Sequence, residues 1–77
     1  MKLILYYFPG CPFCGRVTAF IEEHNIDLEK RNIHQGDVIK QELLDVGGKT
    51  QVPCLIIDGK PMYESMEIIK WFKANVL

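Results

Sequence analysis

Residues 10–15 read Gly10-Cys11-Pro12-Phe13-Cys14-Gly15, or GCPFCG. Two cysteines spaced this way, with a proline and an aromatic between them, admit three chemistries: half of a metal site, a structural disulfide, or a redox pair. The flanking sequence decides between them. Upstream, Lys2 to Phe8 is rich in Leu, Ile, Tyr and Phe, and Pro9-Gly10 ends the run. That pattern predicts a buried strand followed by a turn. Downstream, Pro12 suits the first position of a helix, where its missing N–H is no loss. Val17, Phe20, Ile21 and His24 recur at helical spacing, which predicts a helix over about Pro12 to His24. Cys11 then falls at the N-cap and Cys14 about one turn in. The free backbone N–H groups and the positive end of the helix dipole face Cys11. Both favour thiolate, the form that attacks a disulfide.

The rest of the chain extends this strand–turn–helix start. Ile26 to Ile33 alternates apolar and polar through most of its length, which predicts a second strand, and its charges suggest a sheet edge. Asp37 can cap a second helix with Ile39, Leu43 and Val46 on one face and Gly47-Gly48 as its stop. Leu55-Ile56-Ile57 predicts a strand, and Asp58-Gly59 a two-residue hairpin turn with positive φ at both centres. Lys60 to Tyr63 returns antiparallel, and Pro61 makes it an edge or leaves it short. Ser65 is placed to cap a last helix, with Ile68, Ile69, Phe72 and Val76 facing inward and Trp71 on the flank. The order is βαβα followed by ββα. Its first βαβ unit implies a parallel strand pair with a right-handed crossover.

Bulk composition narrows the chemistry. The 77 residues allow one domain, 1–77, and 48% hydrophobic with 25% charged residues fits a globular fold. Lys and Arg number 9 against 10 Asp and Glu, a net charge of -1 that gives no reason to expect nucleic acid or an anionic membrane as partner. No apolar run approaches the roughly 18 residues of a membrane span. The start, MKLILYYFPG, lacks an h-region and cleavage site and reads as a strand. The odd count of 3 cysteines without a leader favours a reducing, cytoplasmic compartment, which argues against a structural disulfide. Structural zinc wants four ligands. Only Cys54, His24 and His34 remain, with no second knuckle spacing, so no metal is expected. A Cys-x-x-Cys at a helix start beside a βαβ pattern is left as a thiol–disulfide pair. Cys54 opens the apolar run Cys54-Leu55-Ile56-Ile57 and is expected in the core as a small hydrophobe.

Three segments together resemble a glutaredoxin of the thioredoxin-like fold: Cys11-Pro12-Phe13-Cys14 after the first strand, Gln51-Val52-Pro53 before the third, and Tyr63-Glu64-Ser65-Met66 opening the last helix. The last segment is similar to the N-terminal redox domain of glutathione-transferase-like glutaredoxins and of the transferases. The resemblance implies a four-stranded mixed sheet with three helices in the order βαβαββα. It also implies a glutathione-dependent thiol–disulfide oxidoreductase acting on protein or small-molecule disulfides. Cys11 would attack and Cys14 resolve. Phe13 or Tyr7 would pack on the substrate, Tyr7 having strand-core packing as its alternative; Val52-Pro53 would form a cis-proline turn against the cysteinyl part of glutathione, and Glu64 and Ser65 would meet its γ-glutamyl end. Glutathione would be a co-substrate, with no tightly bound cofactor, and the protein a monomer.

The chain departs from many glutaredoxins in lacking a cation just before the cysteine pair, where Tyr7, Phe8, Pro9 and Gly10 stand. Arg16, Lys40 and Lys49 are the remaining candidates for that charge. The departure keeps a rival in view: an electron carrier dedicated to one partner such as ribonucleotide reductase, recharged by thioredoxin reductase. A third class, an iron–sulfur-binding dimer, fits less well, because cluster-binding members usually lack the proline after the first cysteine.

Overall fold

A computed structural model of the protein describes residues 2–77. The elements are β1 (Leu3–Tyr7), α1 (Pro12–Glu23), β2 (Glu29–Asn32), α2 (Asp37–Gly47), β3 (Cys54–Ile57), β4 (Lys60–Tyr63) and α3 (Ser65–Asn75). They follow the expected βαβαββα order. The sheet is mixed, with strand order β2-β1-β3-β4. β1 pairs parallel with β2, Leu5 opposite Lys30, and antiparallel with β3, Tyr6 opposite Cys54. The β3–β4 hairpin closes through Asp58 and Gly59 at φ 48 and 87, as a turn with two left-handed centres requires. Asp58 also accepts the Lys2 N–H at 2.8 Å, which pins the turn to the start of β1.

The period-2 alternation of the strands builds two cores. Ile4, Tyr6, Cys54 and Ile56 point to one face and meet Ile33 and Leu43 under α2. Leu5 and Leu55 point to the other, against Val17 and Ile21 of α1 and Ile68 and Phe72 of α3. Leu5, Val17, Leu43, Leu55, Ile68 and Phe72 are wholly enclosed. Each such side chain stabilises the fold by about 1.5–3 kcal/mol before the cost of ordering it. On the α2 side, Arg31 pairs with Glu29 and, at 2.7 Å, with Glu42, and donates to the Tyr6 hydroxyl at 3.3 Å. That network ties β1, β2 and α2 together at the surface.

Four expectations change. A 3-10 turn, Ile33–Gln35, precedes α2 and was not foreseen; the Asn32 side chain starts it by accepting the His34 N–H at 2.8 Å. Gly36 rather than Asp37 occupies the N-cap of α2, and Asp37 is the first helical residue, where its charge still meets the positive end of the dipole. β2 begins only at Glu29, because that is where its pairing with Ile4 begins; Ile26 and Leu28 instead half-bury against the α1–α3 core. Val76 lies past the end of α3 and is 40% exposed, so it leaves the inward stripe of Ile68, Ile69 and Phe72. No helix among the described residues is long and apolar enough to cross a membrane.

Candidate active site

The turn from β1 into α1 sets the sulfur geometry. Gly10 takes φ +92, a conformation that costs a side-chain-bearing residue strain, and the chain then enters α1 through Cys11 and Pro12. Cys11 is the N-cap, with extended backbone angles of -79 and 118, and its Sγ accepts the Cys14 N–H at 3.4 Å. Pro12 occupies the first turn, and no acidic residue there opposes negative charge on Cys11. Both cysteines are free thiols, but their surroundings differ. Cys11 is partly exposed, whereas Cys14 is 1% exposed. Burial pushes the Cys14 thiol up to about 12, with the neighbouring Cys11 adding to the rise. At neutral pH Cys14 therefore keeps its proton, and Cys11 is the sulfur open to a reagent.

Beside this pair, Phe13, Gln51, Val52, Pro53, Glu64 and Ser65 line one cavity of about 260 Å³. Residues from three separate segments thus meet in one groove. The Val52–Pro53 peptide is cis, as the resemblance implied. Phe13 is 58% exposed and presents an apolar face to the groove. Ser65 was expected to cap α3, but it is the first helical residue and is buried. Glu64 takes the cap position at φ 74 and makes no side-chain cap hydrogen bond. A non-glycine residue in this left-handed region costs on the order of 1–3 kcal/mol and clusters at sites of ligand contact. The Glu64 carboxylate, not being spent on capping, is available at the groove.

A second cavity of about 230 Å³ contains both cysteines together with Tyr7, Thr18, Glu22 and Lys30. Lys30 is a cation near the dithiol that the sequence reading missed. The parallel register could have found it, because Lys30 lies opposite Leu5, whose side chain faces α1. The three cations named from sequence do not line this second cavity. The Arg16 guanidinium carbon lies 5.9 Å from the centre of the Phe13 ring, which lines the first groove. Lys49 Nζ sits 4.3 Å from the centre of the Tyr63 ring. Lys40 lines a separate cleft with Gln41 and Thr50. Cys54 is fully buried, as expected, and burial pushes its thiol up. Among the described residues, no cluster of three or more His, Cys, Asp or Glu could hold a metal ion.

The mixed four-stranded sheet, the dithiol at the start of α1 and the cis-proline turn define a thioredoxin-like domain of the glutaredoxin and glutathione-transferase type, a fold of thiol oxidoreductases. Residues 5–76 match the family described as glutathione S-transferase, N-terminal domain, and the chain belongs to that family. Prostaglandin E synthase 2 of Danio rerio is 30% identical over 69 residues, which are 90% of this chain and 18% of that protein. An uncharacterised glutaredoxin-like 8.6 kDa protein in the rubredoxin operon of Clostridium pasteurianum is 27% identical over 55 residues, 71% of this chain and 73% of that one. Among solved structures, glutathione transferase Omega 3C from Trametes versicolor superposes with a TM-score of 0.80 at 29% identity, covering 96% of this chain and 33% of that one.

Proposed function

We propose that the protein is a glutathione-dependent thiol–disulfide oxidoreductase whose working sulfur is Cys11. The observation that carries this reading is the groove that joins Phe13 of the dithiol segment to Val52-Pro53 and to Glu64-Ser65. Such a groove suits a small zwitterionic thiol. The start of α3 offers free N–H groups and the Ser65 hydroxyl to a carboxylate, and Glu64 offers a charge to an ammonium. In the reaction, the Cys11 thiolate attacks the glutathionyl sulfur of a mixed disulfide. A Cys11–glutathione disulfide forms and the other sulfur leaves as thiolate, taking a proton from solvent. The thiolate of a second glutathione then attacks that disulfide, which restores Cys11 and releases oxidised glutathione. With a protein disulfide as substrate, Cys11 is left bonded to one protein sulfur; the Cys14 thiolate then attacks Cys11 Sγ, the protein sulfur leaves as thiolate, and two glutathiones reduce the resulting Cys11–Cys14 disulfide and leave as oxidised glutathione.

The test offers one glutathione mixed disulfide to the protein with two NADPH-coupled electron sources: glutathione with glutathione reductase, and thioredoxin reductase alone. Turnover with the first source is the expected result. Turnover only with the second overturns the proposal in favour of a dedicated electron carrier.

A further inference from the structure

Gly47 and Gly48 end α2, but they are glycines for different reasons. Gly48 takes φ +80, the left-handed conformation that stops a helix. Gly47 is helical and needs no such freedom. It needs space: a Cβ there would lie 2.1 Å from the Tyr63 hydroxyl oxygen. That hydroxyl donates to the Gly47 carbonyl at 3.1 Å. The carbonyl belongs to the last turn of α2, where helix carbonyls have no partner within the helix. At the other end of the segment, Tyr63 stands opposite Cys54 in the β3–β4 ladder. The ring also carries Lys49 Nζ over its face.

Tyr63 is therefore fastened to both ends of the segment that runs from α2 to β3. That segment, residues 48–53, supplies Gln51, Val52 and Pro53 to the groove. Among the described residues, none of the turn and loop backbone hydrogen bonds involves residues 49–53. The next two residues after Tyr63, Glu64 and Ser65, belong to the same groove. We infer that Tyr63 is a positioning residue: through the Gly47 carbonyl its hydroxyl holds the 48–53 loop at a fixed distance from Glu64-Ser65, and so sets the width of the groove. The inference rests on the proposed function only for the identity of the groove's ligand.

The experiment compares wild type, Tyr63→Phe, Gly47→Ala and the double variant. In Tyr63→Phe, amide hydrogen exchange at Gly48, the first residue of the loop, whose N–H is bonded to the Leu44 carbonyl at 2.8 Å, is expected to speed up by about threefold to tenfold, the worth of one neutral hydrogen bond. KM for a glutathione mixed disulfide rises by a similar factor, while kcat stays within about twofold because Cys11 is untouched. A merely structural role would lower thermal stability without splitting KM from kcat. The glycine supplies a second arm. Gly47→Ala alone pushes against the hydroxyl and lowers Tm, whereas the same change made in Tyr63→Phe lowers it less or raises it, because the obstructing oxygen is gone. Unchanged loop exchange in Tyr63→Phe, or equal Gly47→Ala costs in both backgrounds, overturns the inference. Wild-type protein without glutathione-dependent turnover overturns the proposed function alone, and the exchange and Tm arms then decide the tie by themselves.

Discussion

Cys11 and Cys14 share a motif and differ in environment, and that difference sets what each can do. With its thiol pushed up to about 12 by burial, Cys14 stays protonated at pH 7. A brief exposure of the native reduced protein to iodoacetamide should label Cys11 alone, and unfolding should open Cys14 and Cys54, as peptide mass spectrometry would show. Prompt labelling of Cys14 would contradict its burial. In turnover, Cys11→Ser should fall to background, while Cys14→Ser keeps glutathione-dependent reduction of mixed disulfides, since a second glutathione can resolve the intermediate. The placement of the two cysteines, one at the N-cap and one a turn into α1, was legible in the sequence because it is local: a strand end, a turn, an N-cap and a proline lie within a dozen residues. Lys30 was not legible in the same way, because its approach to the cysteines depends on the β1–β2 register. Neither was the Tyr63–Gly47 contact, which joins residues 16 positions apart.

The start of α3 shows how an element can be placed correctly and its first residue misread. Serine at a helix start is the favoured cap by propensity, yet here the cap position has φ 74 and is held by Glu64. Tertiary structure overrides the preference, because Ser65 is drawn into the groove wall and buried. The left-handed Glu64 gives a test that separates stability from function. Glu64→Gly removes the side-chain strain and should stabilise the fold by about 1 kcal/mol. The same change deletes the groove carboxylate and should raise KM for a glutathione mixed disulfide by about tenfold or more, a charged hydrogen bond being worth about 1.5–3 kcal/mol. Asp58→Gly serves as the comparison, since Asp58 has a similar φ of 48 but lies in the hairpin turn away from the groove lining. It should leave KM alone. A Glu64→Gly protein with unchanged KM would return Glu64 to the role of a solvated surface residue. The three helices were foreseen from helical spacing and stop signals, β2 from alternation, β1 and β3 from apolar runs, and β4 from the Asp58-Gly59 turn. The 3-10 turn was not, because three residues after a strand carry no period to read.

Across the molecule, burial holds protons on acidic groups in both cores' shared sheet and at the dithiol. Cys14 moves from its ordinary 9.0 to about 12, Tyr63 from 10.0 to about 12, and Cys54 upward as well, in each case chiefly through burial. Above about pH 9 the unfolded chain gives up protons that the folded chain keeps, so the unfolded state gains and folding stability falls as pH rises toward 12. Tm should be nearly flat from pH 7 to 8 and fall steadily between pH 9 and 11. Forming a Cys11–Cys14 disulfide removes one of these groups and should make the fall shallower. A Tm that holds level to pH 11 in the reduced protein would contradict the buried, protonated thiols. The sheet order has one more consequence, for how the chain is made. β1 is central and early, and Leu3 pairs with Ile57 across most of the chain. A ribosome adding about 5–20 residues per second delivers Cys54 some 2–9 s after Cys11. Throughout that interval Leu55 is missing from the core that Val17 of α1 packs into, and the helix carrying Cys14 has no completed sheet to shelter it. The growing chain thus carries both cysteine sulfurs before it owns the pocket that makes them unequal.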